Sequence, residues 1–235
     1  MIQDDNEDKP KVVKVHRNKH YYYMDRWLVD NLDQHRDLIK YNNDFVYVVD
    51  GKTGTGKTHF ITGQIAYYLD PNFRPETHVC YDMDKFEELL ENLPRYSAIV
   101  IDESFYVLAK RKRMNPEIIR MIDNLMTCRI YNKFIFIIIP DVRELDNYIT
   151  RSRAICLIRT YYGKGLSRGN FMYYNHDRLR RLCSSNYTQR GKAKWNFLGR
   201  FTSFYPFDMD KLDKIKRETL LKRYKRKHIK KLEKA

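Results

Sequence analysis

Five short runs of apolar residues, rich in β-branched and aromatic side chains, lie along the middle of the chain. They are FVYVV (45–49), HVCYD (78–82), AIVID (98–102), FIFIII (134–139) and AICLIR (154–159). Runs that are apolar at nearly every position are typical of strands buried on both faces of a sheet. We therefore predict five buried strands in this part of the chain.

Segments with helix-start and helix-stop signals fill the gaps between these runs. Capping residues and prolines predict helices over residues 57–69, 84–93, 115–128 and 141–149. Strands that alternate with helices predict an α/β fold, in which a parallel central sheet is covered by helices on both faces.

The two ends of the chain lack this alternation. Residues 1–19 are polar and mixed in charge, and we expect a mobile arm there. From residue 208 the chain becomes a basic helical tail, so residues 20–207 are expected to form one domain. The first helix of that domain is predicted from the helical spacing of Met24, Trp27, Leu28 and Leu32.

The stretch between residue 160 and the tail has weaker patterns. YYGKGLSRGN (161–170) is typical of a loop or hairpin, 171–174 of a strand, and 176–183 of a short helix. We interpret these elements as a C-terminal elaboration of the same domain.

The chain is strongly basic, with 45 Lys and Arg against 30 Asp and Glu and a formal net charge of +15. A surplus of this size indicates an anionic partner, nucleic acid first and an anionic membrane surface second. The longest apolar run, Phe134–Ile139, is far shorter than the roughly 20 residues that span a bilayer. Because the N-terminal residues are charged throughout and show no secretory pattern, we expect a cytoplasmic protein without a transmembrane segment.

The four cysteines, Cys80, Cys128, Cys156 and Cys183, form no CxxC pair and have no histidine at metal-ligand spacing. Reduced thiols in the core of an intracellular protein are the expected state. We predict no structural zinc.

Residues 51–58, GKTGTGKT, match the Walker A pattern G-x-x-x-x-G-K-[ST], between a predicted strand and a predicted helix. Glycines let successive backbone N–H groups point at phosphate oxygens, and the helix presents its positive N-terminus to the same anion. Lys57 is placed to reach the β- and γ-phosphates, and the Thr58 hydroxyl is placed to ligate Mg²⁺. The sequence therefore predicts an ATP site formed by Gly51, Lys52, Thr53, Gly54, Thr55, Gly56, Lys57 and Thr58.

AIVIDES (98–104) supplies a second half of this site. Its apolar strand delivers Asp102 to the carboxyl end, where parallel sheets bind ligands. We predict that Asp102 holds Mg²⁺, directly or through water, and that Glu103 polarises the water that attacks the γ-phosphate. The alternative for Glu103 is a solvated loop position. A hydrolase needs such a water-activating carboxylate, whereas a kinase does not.

The order of these motifs resembles that of the HerA/FtsK-type P-loop ATPases. From residue 44 to about residue 160 the chain has Walker A, a strand, an Asp-Glu Walker B, a helix ending in Arg, an apolar strand, and then ELDNYITRSRAICLIR (144–159). That superfamily includes viral DNA-packaging ATPases and the zonular-occludens-toxin-type assembly ATPases of filamentous phages. The resemblance implies a RecA-like sheet of strand order 5-1-4-3-2. It also implies a ring, a hexamer or pentamer, in which each subunit helps its neighbour hydrolyse ATP.

In such a ring the neighbour donates a positive charge to the transition state. Arg129 matches a recurrent arginine of the family and is the candidate for this role, with Arg151 and Arg153 as alternatives. The family usually has a polar sensor, often Gln, at the end of the fourth strand, where this chain has Asp141 after a proline. Asp141 either takes over sensing or caps the helix that follows.

Basic residues cluster at two further places. Residues 211–234 hold twelve Lys and Arg against three acidic residues, a net +9, and AKRKR (109–113) follows Walker B. Neither cluster indicates base readout, so contacts with DNA are expected to be made to its backbone, regardless of sequence.

Together these features predict ATP hydrolysis that drives nucleic-acid translocation or packaging in a virus or mobile element. The expected location is then the host cytoplasm or the virion. Two alternatives stay open: an assembly ATPase that acts on a capsid or membrane partner, and a P-loop kinase that phosphorylates a small molecule.

Overall fold

The computed structural model describes residues 11–102, 116–184, 188, 193–208, 210–219 and 221. These ranges contain a two-stranded hairpin and a seven-stranded sheet. The strands of the hairpin are β1 (Val12–Arg17) and β2 (His20–Asp25). The sheet consists of β3 (Phe45–Asp50), β4 (Val79–Cys80), β5 (Ala98–Ile101), β6 (Phe134–Ile138), β7 (Ala154–Tyr161), β8 (Asn170–Asn175) and β9 (Phe197–Arg200).

The strands of the sheet lie in the order β4-β5-β6-β3-β7-β8-β9. The first five in this order are parallel, and they are the five runs predicted to be buried strands. Numbered along the chain from β3, they stand in the order 5-1-4-3-2 from β7 to β4. β8 and β9 extend the sheet in antiparallel orientation. The carboxyl ends of the five parallel strands therefore meet at one edge.

Helices connect the strands and cover both faces, as predicted. In chain order they are α1 (Arg26–Leu38), α2 (Lys57–Phe60), α3 (Tyr67–Leu69), α4 (Pro75–His78), α5 (Met83–Asn92), α6 (Pro116–Thr127), α7 (His176–Leu182) and α8 (210–219). A π-helical turn, Ile61–Ala66, joins α2 to α3, so residues 57–69 form one helical segment. Shorter turns lie at Ile39–Tyr41, Cys128–Tyr131, Val142–Glu144, Ile149–Arg153 and Lys164–Leu166.

The apolar runs divide their side chains between two cores, one on each face of the sheet. On β3, Tyr47 and Val49 join the core that includes residues of α1 and α2. Their neighbours Val46 and Val48 join the core that includes residues of α5 and α6. Because both faces of β3 are buried, each position from Phe45 to Val49 needs an apolar residue, which explains the unbroken run.

The N-terminal hairpin corrects the prediction of a mobile arm over residues 1–19. Residues 1–10 lie outside the described part of the chain, but Val12–Arg17 is a strand. Its Val15 side chain is buried with Tyr22 of β2 in the core of the sheet. Exposed positions of the hairpin carry Lys14 and Tyr23, which face each other across the two strands. The period of two is short in β1, and in β2 the exposed Tyr21 and Tyr23 obscure it.

Two helices begin at aspartates that were not predicted as caps. The Asp25 carboxylate accepts a hydrogen bond from Leu28 N at 3.1 Å, so α1 starts after Asp25 and Met24 belongs to β2. The Asp82 carboxylate accepts from Lys85 N at 2.8 Å and caps α5, two residues before the predicted start of that helix at residue 84. In both cases an acidic residue just before the helix satisfies a free backbone N–H group.

The helix predicted over residues 141–149 is not continuous. The Asp141 carboxylate accepts from Arg143 N at 3.0 Å and caps a single turn. Leu145 then has extended backbone angles (φ −74°, ψ 150°), which end that turn. The capping role of Asp141 is confirmed, and the length of the predicted helix is wrong.

The C-terminal helix α8 packs onto the domain. Leu212 is buried in the same core as α2, and Ile215 packs against that core. Leu221 is exposed, and Leu220 with residues 222–235 lies outside the described residues. The basic helical tail beyond α8 therefore stays a prediction.

The described ranges contain no helix that is long and apolar enough to cross a membrane. All four cysteines are buried and free of disulfide bonds, which confirms their predicted place in the core. Within the same part of the chain, no group of three or more His, Cys, Asp or Glu side chains is placed to hold a metal ion.

Candidate nucleotide-binding site

The Walker A loop connects β3 to α2 at the edge formed by the carboxyl ends of the parallel strands. Its three glycines have positive φ angles, 140° at Gly51, 84° at Gly54 and 94° at Gly56. A Cβ atom at Gly51 would lie 2.3 Å from the Thr160 carbonyl oxygen, and one at Gly54 would lie 2.6 Å from the Tyr162 hydroxyl. The shape of the loop therefore requires glycine for both its backbone angles and its close contacts.

Lys57, the first residue of α2, turns back over the loop. Its Nζ donates to the carbonyl oxygens of Gly51 at 2.7 Å and Lys52 at 3.2 Å, and the residue is almost fully buried. The Thr55 hydroxyl donates to the same Lys52 oxygen at 2.8 Å and shares a hydrogen bond of 2.6 Å with the Thr160 hydroxyl. The ammonium group thus lies within the loop, where phosphate oxygens would meet it.

Thr58 and Asp102 come together across the sheet edge, although β6 lies between β3 and β5. The Thr58 hydroxyl donates to Asp102 Oδ1 at 3.2 Å, and Asp102 is fully buried. A hydroxyl oxygen and a carboxylate oxygen at the mouth of a phosphate loop are ligands that Mg²⁺ accepts together with substrate phosphates. These two side chains fit the predicted metal site.

Asp50, the last residue of β3, is held by two neighbouring elements. The Arg159 guanidinium on β7 donates through Nε to Asp50 Oδ1 at 2.8 Å and through Nη2 to Oδ2 at 2.5 Å. Val142 N donates to Asp50 Oδ2 at 3.0 Å. Sequence reasoning missed this ion pair, because nothing in either strand indicates its partner 109 residues away.

Asp141, the sensor candidate, lies beside this pair. The Arg143 guanidinium bonds the Asp141 carboxylate and lowers the pKa of that carboxyl. Both side chains line a cavity of about 410 Å³ together with Lys52 and Arg159 of the loop region. Asp141 is thus close enough to the loop for a sensing role, which stays a prediction.

A second cavity, of about 450 Å³, borders the loop at Lys57 and Thr58. The volume suits a small-molecule ligand. His59, which follows Thr58, also lines this cavity. The rest of the lining comes from distant segments, so local sequence patterns did not indicate it: Arg168, Gly169, Phe201, Thr202, Ser203 and Lys216.

Arg129 lies at the opposite edge of the sheet from the loop. It precedes β6, and its Nε donates to the Asn42 carbonyl oxygen, which precedes β3. Arg153 is paired at the same edge with the buried Asp44 carboxylate, and Arg151 is exposed. None of the three candidate arginines contacts this chain's own Walker A loop in the hydrogen bonds and ion pairs that the structure describes.

Glu103, the predicted water-activating residue, lies outside the described residues, as does the basic cluster 109–113. Asp102, its neighbour, is the last residue described before that gap. The role of Glu103 therefore stays a prediction.

No protein-family model matches the chain, and no curated protein sequence does. Solved structures with a similar arrangement include the genome packaging NTPase B204 of Sulfolobus turreted icosahedral virus 2, in complex with ATP-γS. It is 15% identical, with a TM-score of 0.41 over 58% of this chain and 94% of that one. The N-terminal domain of zonular occludens toxin from Neisseria meningitidis is 17% identical, with a TM-score of 0.43 over 73% of this chain and 98% of that one.

EssC (ATPases 2 and 3) from Geobacillus thermodenitrificans is 11% identical, with a TM-score of 0.41 over 89% of this chain and 47% of that one. A viral packaging NTPase and a zonular occludens toxin are among the types that the sequence resembles. Because these likenesses are weak in both identity and superposition, the P-loop NTPase fold rests on the strand order and the geometry of the Walker A loop described above.

Proposed function

We propose that this chain hydrolyses ATP with Mg²⁺ and uses the energy to move or package nucleic acid. The observation that supports an ATP site most directly is the Thr58 hydroxyl 3.2 Å from Asp102 Oδ1, beside a loop that encloses the Lys57 ammonium. Phosphate binding needs positive charge and backbone donors, and metal binding needs oxygen ligands. Both requirements meet at this one edge of the sheet.

Each side chain of the site has a proposed role that follows from its chemistry. Lys57 and the loop residues Gly51–Thr58 bind and orient the phosphates, while Thr58 and Asp102 would hold Mg²⁺. Bound Mg²⁺ would neutralise charge on the phosphate oxygens. Glu103, next to Asp102 in the chain, takes a proton from the attacking water.

Arg129 would act in a neighbouring subunit of a ring. It lies about 16 Å from the loop edge if β6 rises about 3.3 Å per residue over its length, which is too far for a role in its own site. Mixing Arg129→Ala subunits with Lys57→Ala subunits is expected to restore part of the hydrolysis that each variant lacks. A strictly monomeric protein with full ATPase activity would contradict the ring.

Nucleic acid is the proposed partner because of the net charge of +15 and its concentration beyond residue 210. Such charge binds the phosphate backbone of DNA without regard to sequence. Binding of labelled duplexes of unrelated sequence, compared with vesicles of anionic lipid, tests this choice. Equal binding of the duplexes supports the translocase, whereas binding to vesicles alone favours the assembly ATPase.

Product analysis tests the reaction itself. A hydrolase releases free phosphate from ATP, whereas a P-loop kinase leaves the phosphate on an acceptor. Phosphate release that persists without any added small molecule supports hydrolysis. ATP that is consumed only with a small-molecule acceptor present favours the kinase.

A further inference from the structure

Residues 201–207, the segment that follows β9, are hydrogen-bonded to the helical segment 57–69, which follows the Walker A loop. The donors and acceptors on that helical segment are side chains. The Gln64 Nε2 group donates to the Thr202 carbonyl oxygen at 2.7 Å. The His59 Nε2 atom lies 3.2 Å from the Ser203 carbonyl oxygen. The backbone of this segment is thus fixed against the helix that starts at the Walker A lysine.

Aromatic rings hold the same segment in place. Phe201 stacks on Phe60, with ring centroids 4.2 Å apart. Tyr205 lies against Gly63, where an added Cβ would come within 2.4 Å of the tyrosine ring. The absence of a side chain at Gly63 therefore allows Tyr205 to pack directly on the helix backbone.

This anchored segment leads into α8 and sets its position. Leu212 is buried in the core shared with α2, and one helical turn later Lys216 reaches the nucleotide site. Lys216 Nζ donates to Asp102 Oδ2 at 2.8 Å, while Asp102 Oδ1 accepts from the Thr58 hydroxyl. Lys216 also lines the cavity that borders Lys57. A helix from the end of the domain thus contributes a cation to the Walker B carboxylate.

We propose that Lys216 is a positioning residue of this site and that it competes with Mg²⁺ for Asp102. The proposal rests on the ATP site proposed above. A fully buried carboxylate needs compensating positive charge, and Lys216 supplies such charge at Oδ2. Mg²⁺ would bind the same carboxylate, and the positive charges of the metal ion and of the Lys216 ammonium group would then repel each other. Metal binding therefore weakens the ion pair of Lys216 with Asp102 and loosens α8, the helix that carries Lys216.

Metal affinity of the full-length chain tests this competition without any turnover. With ADP in fixed excess, Lys216→Met is expected to bind Mg²⁺ about tenfold more tightly than the wild type, the scale of one charge-assisted hydrogen bond. Lys214→Met removes the same charge from an exposed position of the same helix and is expected to match the wild type. Lys216→Arg keeps the charge and is expected to restore the wild-type affinity.

Hydrogen exchange of residues 210–219 supplies a second readout. In the wild type with ADP, Mg²⁺ is expected to speed exchange in α8, whereas in Lys216→Met exchange is fast with or without the metal. Unchanged or weaker Mg²⁺ binding by Lys216→Met, or wild-type exchange that ignores Mg²⁺, overturns the proposal. A wild-type chain that binds no ADP overturns the ATP site as well, so the two failures are distinguishable.

Discussion

The guanidinium of Arg159 on β7 and the buried carboxylate of Asp50 at the end of β3 form a two-point ion pair where the phosphate loop begins. Asp50 is 1% exposed, and its carboxylate oxygens accept hydrogen bonds from this partner and from the N–H group of Val142. The pair joins two adjacent parallel strands at the residue that immediately precedes Gly51. The loop therefore starts from a carboxylate whose position is fixed on two sides.

Arg159→Met is expected to lower the free energy of unfolding by about 3–5 kcal/mol, because it leaves the buried Asp50 charge without its partner. Denaturant unfolding measures the change. Arg143→Met breaks the Asp141 pair, whose arginine side chain is 67% exposed, and is expected to cost no more than about 1 kcal/mol. Equal decreases in the free energy of unfolding would show that the Asp50–Arg159 ion pair stabilises the fold no more than an exposed ion pair does.

Lys57→Ala is expected to remove most of the ATP affinity, at least about tenfold, since the variant loses a charge-assisted contact with the phosphates. Binding of a fluorescent ATP analogue measures it. The fold is expected to survive, because β3 and both cores keep all their residues. Lys40→Ala, an exposed lysine in the turn after α1, is the matched control. Wild-type affinity in Lys57→Ala would refute the assignment of the loop.

Glu103→Gln is expected to bind Mg²⁺·ATP normally and to hydrolyse it at least about 10²-fold more slowly, the usual scale for losing a positioned base. Single-turnover phosphate release measures the chemical step. Asp102→Asn is expected to behave differently, with a higher Mg²⁺ requirement. If Glu103→Gln keeps its turnover, the solvated-loop interpretation of Glu103 is correct.

Truncation after residue 219 keeps all of the described helix α8, including Leu212 and Lys216. Truncation after residue 207, the predicted end of the domain, would instead remove Leu212 from the core and Lys216 from Asp102. Truncation after residue 219 removes eight Lys and Arg and one acidic residue, a net +7. If six of these charges meet phosphates, the salt slope of log K for duplex DNA is expected to fall by about 5.

Filter binding at several salt concentrations measures that slope, and basal hydrolysis is expected to persist in the truncated chain. An unchanged slope would mean that the tail binds a protein or a membrane. The assembly ATPase would then be the better account.

Local signals made the parallel strands, most helices and the Walker A loop predictable. Each of those features depends on residues that are close in sequence, such as the glycines and Lys57. The contacts of Asp50 with Arg159 and of Asp102 with Lys216 join residues 109 and 114 positions apart, and only the fold brings them together. The sequence around each of these residues does not indicate its distant partner.

The N-terminal hairpin was missed for another reason. Val13 and Val15 alternate with Lys14 and His16, but four residues of alternation among charges are a weak signal. Pairing with β2 and burial of Tyr22 against the core supply the stability that the strand lacks alone.

Phosphate release from ATP by the full-length chain, with and without duplex DNA at low salt, tests the central claim most directly. We expect Mg²⁺-dependent release that duplex DNA of any sequence accelerates and that Lys57→Ala abolishes. Release that DNA leaves unchanged would contradict the coupling to nucleic acid, and an absence of release under both conditions would contradict the ATPase itself.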